Sequence, residues 1–182
     1  ISVYTENDEP MKALESALQA VRVDPFSRDM VNVIVQSSKI SPLETYSEEL
    51  ACLDDNIESN PLVPQVYSDR GLFYFALGYP EKALLDFDQS LDVDPKNVQD
   101  MYYASLSLMD LECYDEAIEL MTKAISIESE IWEYYRLRGM LFEENDEILL
   151  AKADFESMLE YCSTEDSCYL ASVYLLKINE KQ

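Results

Sequence analysis

The side chains able to do chemistry in this chain are carboxylates, thiols and phenols, and their spacing points away from catalysis. The densest acidic group is Glu143-Glu144-Asn145-Asp146-Glu147. Paired carboxylates act as general acid and base only where their surroundings push their pKa values apart. A run like this one, at a turn, reads as a solvated charged loop. The spacing of a calcium loop, with its central Gly, is absent from it. Histidine is missing altogether, which removes Ser-His-Asp and Cys-His catalysis and every His-ligated metal site. Gly is 3 of 182 residues, against roughly 7% in an average chain, so no Gly-rich phosphate loop is present. No nucleophile motif appears either. The reading is of a non-enzyme, with no cofactor and no metal.

The thiols are Cys52, Cys113, Cys162 and Cys168. They form no CxxC pair and no zinc-type spacing. Cys52 and Cys113 sit on apolar helical stretches, where a small buried thiol is the default. Cys162 and Cys168 flank a short turn, and a disulfide there is open. Free thiols in a reducing compartment are the expectation. No apolar run reaches the ~18 residues of a membrane span, and no signal-peptide pattern is visible. The expected location is cytoplasmic, without membrane insertion.

Thirteen Lys and Arg stand against 37 Asp and Glu, a formal charge of −24. Nucleic-acid affinity comes largely from Lys and Arg neutralising phosphates, so direct nucleic-acid binding is not expected. Such a surface attracts basic proteins, or simply keeps the chain in solution. With 48% apolar residues, the chain has enough to bury a core.

The elements that carry these groups come from a repeat. Blocks 64–97, 98–131 and 132–165 align without a gap. Gly71, Ser105 and Gly139 are equivalent, as are Ala83, Ala117 and Ala151, and Phe87, Met121 and Phe155. A fixed period with small residues at fixed places marks stacked helical units. In the first block Tyr67, Gly71, Tyr74 and Phe75 fall at helical spacing. Gly78 suits a left-handed helix end, Pro80 opens the next helix, and Asp94-Pro95 stops it. Gly71 and Ala83 let the two helices of a hairpin approach closely.

This pattern resembles the tetratricopeptide repeat family. The resemblance rests most firmly on Gly71, Tyr74, Gly78, Ala83, Phe87, Leu91 and Pro95. The second block departs from it at Ser105 and Glu112, and the third lacks the closing Pro. It implies an all-α, right-handed α-solenoid of helix-turn-helix repeats over 1–182, read as a single domain. Residues 9–63 are read as degenerate N-terminal repeats. Within them Pro10–Val23 and Met30–Ile40 are expected helices, the run Met30-Val-Asn-Val-Ile-Val being readable also as a strand, and Leu43–Asn60 is another helix whose face is Leu50, Leu53 and Ile57. Residues 166–179 form a capping helix, with Tyr169, Val173 and Leu176 covering the end of the last repeat.

The resemblance also implies a concave groove, lined by the first helix of each pair, that holds a peptide or partner helix. The residues that line it by register are Ser68, Leu72 and Phe75, then Tyr102, Tyr103, Leu106 and Met109. They continue with Glu133, Arg136 and Met140, and Tyr174 on the cap. Aromatic and Met side chains suit an apolar anchor from a partner. Arg136 can pair with a partner carboxylate, or equally with Glu133 or Glu143. Some members of the family clamp Glu-Glu-Val-Asp tails of heat-shock chaperones with Lys, Asn, Asn, Lys and Arg. The matching positions here are Ser68, Leu72, Tyr103, Glu133 and Leu137, so that clamp is absent.

The function expected is a protein-interaction scaffold or adaptor with a protein or peptide partner; the sequence leaves the oligomeric state open. An acidic inhibitor or immunity-type protein that neutralises a basic partner is an alternative, as is a chaperone of the type III secretion kind. Replacing Ala83 by Phe should overpack the first hairpin and lower stability by about 1–3 kcal/mol, measured by urea unfolding.

Overall fold

A computed structural model describes residues 46–180. Among them are helices and no strand, so the fold is an all-α helical repeat. The readings made for Pro10–Val23 and Met30–Ile40 lie outside the described residues. The chain divides into two compact units, Ile1–Pro95 and Lys96–Gln182. The first holds α1 (Ser47–Ser59), α2 (Pro64–Ala76) and α3 (Pro80–Val93). The second holds α4 (Val98–Asp110), α5 (Tyr114–Ile127), α6 (Trp132–Glu144), α7 (Ile148–Tyr161) and α8 (Glu165–Asn179).

The repeat is visible in the helix limits themselves. Helices α2, α4 and α6 each have 13 residues and start at the first residue of a block. Helices α3, α5 and α7 each have 14. Proline opens α2 and α3, where its missing N–H costs nothing. The Asn97 side chain accepts the Asp100 N–H at the start of α4, and Thr164 forms a capping box with Ser167 at the start of α8.

Each hairpin turns in one way. Gly78, Glu112 and Asp146 occupy the same register position and all have positive φ, of 75°, 59° and 63°. The N–H one residue further on then reaches back to the helix: Tyr79 to the Tyr74 carbonyl, Cys113 to Leu108 and Glu147 to Phe142. This is the bond that closes a Schellman end. The departure from glycine at Glu112 leaves the turn itself unchanged. The two acidic residues adopt the left-handed conformation, at roughly 1–2 kcal/mol each.

Within the first unit, α2 and α3 touch at Gly71. A Cβ there would lie 2.9 Å from the Phe87 ring, and Ala83 and Phe87 are fully buried. The Arg70 guanidinium forks onto Asp86 at 2.8 and 2.6 Å and reaches Asp54 of α1 at 2.6 Å. These acceptors, Asp86 first, hold its pKa above the ordinary arginine value against the opposing effect of burial. Helix α1 is looser than its apolar pattern implies. Leu50, Leu53 and Ile57 are only half-buried, and Cys52 is exposed rather than buried.

Within the second unit, α6 and α7 repeat the contact. A Cβ at Gly139 would lie 2.7 Å from the Phe155 ring. The fork recurs as Arg138 on Asp154, at 2.8 and 2.7 Å, with Thr122 as third acceptor at 3.1 Å. In the same unit, α4 and α5 use Ser105, whose hydroxyl donates to the Met101 and Ala117 carbonyls. Cys113 is half-buried in the turn before α5, not on a helix.

Helix α8 packs on α7 by a different face from the one expected. Tyr169, Val173 and Leu176 are 72%, 41% and 68% exposed. Ser167, Ala171 and Ile178 are buried instead, and the Tyr174 ring stacks on Phe155 at 4.7 Å. The reason lies in the register. Tyr169, Val173 and Leu176 match the residues by which α2, α4 and α6 face their own second helix, and among the described residues no such helix follows α8.

Two glycine exchanges should act with opposite sign. Gly139→Ala gains helix propensity but drives its Cβ into Phe155, a net loss of about 1–2 kcal/mol. Glu112→Gly relieves the left-handed turn and should stabilise by about 1 kcal/mol. Chemical denaturation of both variants beside the wild type measures this.

Candidate functional site

The residues assigned to a binding face divide between the units. In the first, Ser68, Leu72 and Phe75 are buried on α2, and the Ser68 hydroxyl lies 3.0 Å from that of Ser90. In the second, Tyr102 and Tyr103 of α4 are also buried. Leu106, Met109, Glu133, Arg136, Met140 and Tyr174 keep part of their surface exposed.

Four of these residues meet across α4, α6 and α8. Arg136 Nη2 donates to the Tyr102 hydroxyl at 3.1 Å, and its Nη1 lies 3.9 Å from the Met140 sulfur. The Tyr174 hydroxyl lies 3.5 Å from the same sulfur. Each interhelix contact joins equal register positions one repeat apart: 102 with 136, and 140 with 174. The period that stacks the helices therefore also aligns these side chains on one face of the second unit.

Burial raises the Tyr102 pKa, and the Arg136 charge only partly opposes this. The phenol therefore stays protonated at neutral pH. Its ring packs edge-on to Tyr103, at 5.6 Å, and tilted against Tyr134, at 6.2 Å. At the far end of the face, the Lys177 ammonium reaches the buried carboxylate of Glu143 at 2.9 Å. Glu143 thus belongs to an ion pair rather than to a solvated acidic loop. Asn145, two residues on, donates to Asp115 and Glu147.

Sequence reading missed both arginine forks. The signal was available, because Arg70 and Arg138 recur with Asp86 and Asp154 at twice the repeat period. The second block has Ala104 and Leu120 in their places, which hides the pattern in a block-by-block comparison. The free-thiol expectation also fails for one pair. Cys162 and Cys168 are joined in a disulfide, their Cα atoms 5.2 Å apart across the turn from α7 to α8.

Among the described residues no cluster of His, Cys, Asp and Glu could hold a metal ion. No described helix is long and apolar enough to cross a membrane.

Comparison with known proteins agrees with the repeat reading. Residues 64–97 match the tetratricopeptide repeat family. Sperm-associated antigen 1 of Rattus norvegicus is 25% identical over 114 residues, which cover 57% of this chain and 13% of that protein. The chain thus spans only a small part of that relative's length. Among solved structures, the first TPR of Spaghetti (RPAP3), bound to the HSP90 peptide SRMEEVD, superposes with a TM-score of 0.60. It is 23% identical and covers 65% of this chain and 91% of its own. The Yersinia enterocolitica type III secretion chaperone SycD, in complex with a peptide of the translocator YopD, also gives a TM-score of 0.60. It is 16% identical and covers 64% of this chain and 92% of its own. These structural likenesses describe the fold.

The disulfide closes a short loop that ties α8 to α7. In the loop-entropy picture this is worth about 2 kcal/mol. Cys168→Ser, or reduction, should lower the thermal midpoint and loosen α8 first, seen as faster amide exchange over Glu165–Asn179.

Proposed function

We propose that this tetratricopeptide-repeat chain is a non-catalytic protein-interaction module, an adaptor that binds a partner peptide or helix. The observation that carries the reading is the face shared by α4, α6 and α8. It combines a cationic anchor, Arg136, with polarizable apolar surface from Met109, Met140 and Leu106, and with phenols at Tyr102 and Tyr174. Methionine and aromatic side chains suit an apolar anchor, because they make large contacts and adapt to a partner's shape. The solved relatives named above hold peptides, which supports the same reading for this chain. The absent heat-shock-tail residues at Ser68, Leu72, Tyr103, Glu133 and Leu137 argue for a different peptide chemistry.

The acidic-inhibitor reading rests on the charge of −24 and makes a different forecast. Steering by a net charge weakens steeply with salt, because the Debye length falls to ~3 Å at 1 M.

The test is affinity capture followed by binding measurements with the purified partner. Wild type is compared with a Met109→Ala/Met140→Ala variant, at moderate and high salt. The adaptor reading expects affinity to fall at least about tenfold in the variant, the size of a lost hot-spot contact. It also expects binding to persist at high salt and the helical circular dichroism to stay unchanged. Binding that ignores the variant but vanishes at high salt would overturn it in favour of the acidic surface.

A further inference from the structure

Arg70, Arg136 and Arg138 have different surroundings. Arg70 and Arg138 each fork onto a buried aspartate. Arg136 pairs with no carboxylate among the described residues, in a chain with 37 acidic residues. Its neighbours are the Tyr102 phenol, the Met140 thioether and Tyr174, all neutral groups. Its Nε–H is sealed from solvent and has no acceptor among the described residues.

A guanidinium drawn out of water loses hydration that a phenol and a sulfur do not replace. The repeat does not require this arrangement. The residues at the same register position one repeat earlier and one later are Tyr102 and Leu170. Arg136 therefore stands as a largely buried charge without a counter-ion among the described residues. The residue is mostly covered but keeps some exposed surface, and an incoming group would approach from that side.

We propose that Arg136 is a carboxylate-binding anchor, which receives a single carboxylate from the partner segment between Tyr102 and Tyr174. This rests on the interaction face described above and names the chemistry of its ligand. Planar forked recognition of a carboxylate is the interaction a guanidinium makes best. The net charge of the chain repels strongly acidic segments at long range. The fitting ligand is therefore an apolar or basic segment with one carboxylate, from a side chain or from the chain end. Leu106, Met109 and Met140 supply the apolar contact beside it. Arg136 is also distinct in position from the five clamp residues compared above.

The experiment observes the arginine Nε–Hε resonances of the full chain, assigned with Arg136→Gln. The probes are N-acetylglycine for a chain-end carboxylate, acetyl-aspartyl amide for a side-chain carboxylate, and sodium chloride at matched ionic strength. They are added to about 100 mM, which fills a site with a Kd near 10 mM. The Arg136 signal should move saturably with at least one carboxylate, and the tighter of the two identifies the source. The Arg70 and Arg138 signals, already paired, should stay in place. Equal movement in all three, or no movement beyond that with chloride, would overturn the proposal.

A stability measurement guards against a purely structural role. Arg136→Met should melt at or above the wild-type temperature, because it removes an uncompensated charge, while Arg138→Met should melt well below it. A comparable fall in both would overturn the proposal. Carboxylate binding at Arg136, with partner affinity unchanged in Met109→Ala/Met140→Ala, would sink the reading of the face while leaving the anchor intact.

Discussion

Two helices can lie close along their length only where one of them has almost no side chain. In this protein that condition is met by Gly71 against Phe87 and by Gly139 against Phe155, with Cβ room removed to 2.9 and 2.7 Å. The second hairpin meets it with Ser105, whose hydroxyl is absorbed by two carbonyls. The rest of each hairpin follows from this contact. The approach fixes which face of the first helix turns inward, and so which residues remain for the opposite face. The left-handed turn at Gly78, Glu112 and Asp146 sets the angle at which the second helix returns.

On this frame, charge is handled in two ways. The arginine forks of Arg70 and Arg138 satisfy buried aspartates within a hairpin, and burial alone would otherwise push the Asp154 carboxyl up further against Arg138. Removing one partner of such a pair costs roughly 3–5 kcal/mol, because the other stays buried and charged. Arg136 has no such arrangement. It lies where equal positions of α4, α6 and α8 converge. Helix packing explains the first two arginines; for the third we propose a binding role, since functional sites are where local rules are expected to break.

Much of the fold was legible from the residues. The period, the helix starts at Pro64, Val98 and Trp132 and the small-against-large contacts were all present as spacing. The errors have physical causes. Helix α8 carries apolar residues on more than one face, so periodicity alone did not choose between Tyr169-Val173-Leu176 and Ala171-Ile178. The disulfide depended on the turn geometry between Cys162 and Cys168, which spacing does not determine. On the face shared by α4, α6 and α8, register placed Arg136, Met140 and Tyr174 side by side, and their contacts are those of neighbours. It carried no information on the depth of Tyr102 and Tyr103, or on whether Glu133 or Glu143 would neutralise Arg136. Glu143 instead pairs with Lys177.

We propose that α4, α6 and α8 present the working surface of the second unit. Hydrogen–deuterium exchange over Lys96–Gln182, with and without the purified partner, tests it most directly. New protection is expected in α4, α6 and α8, strongest around Arg136 and Met140, with little change in α5 and α7. Protection confined to α5 and α7, with α6 unchanged, would contradict it.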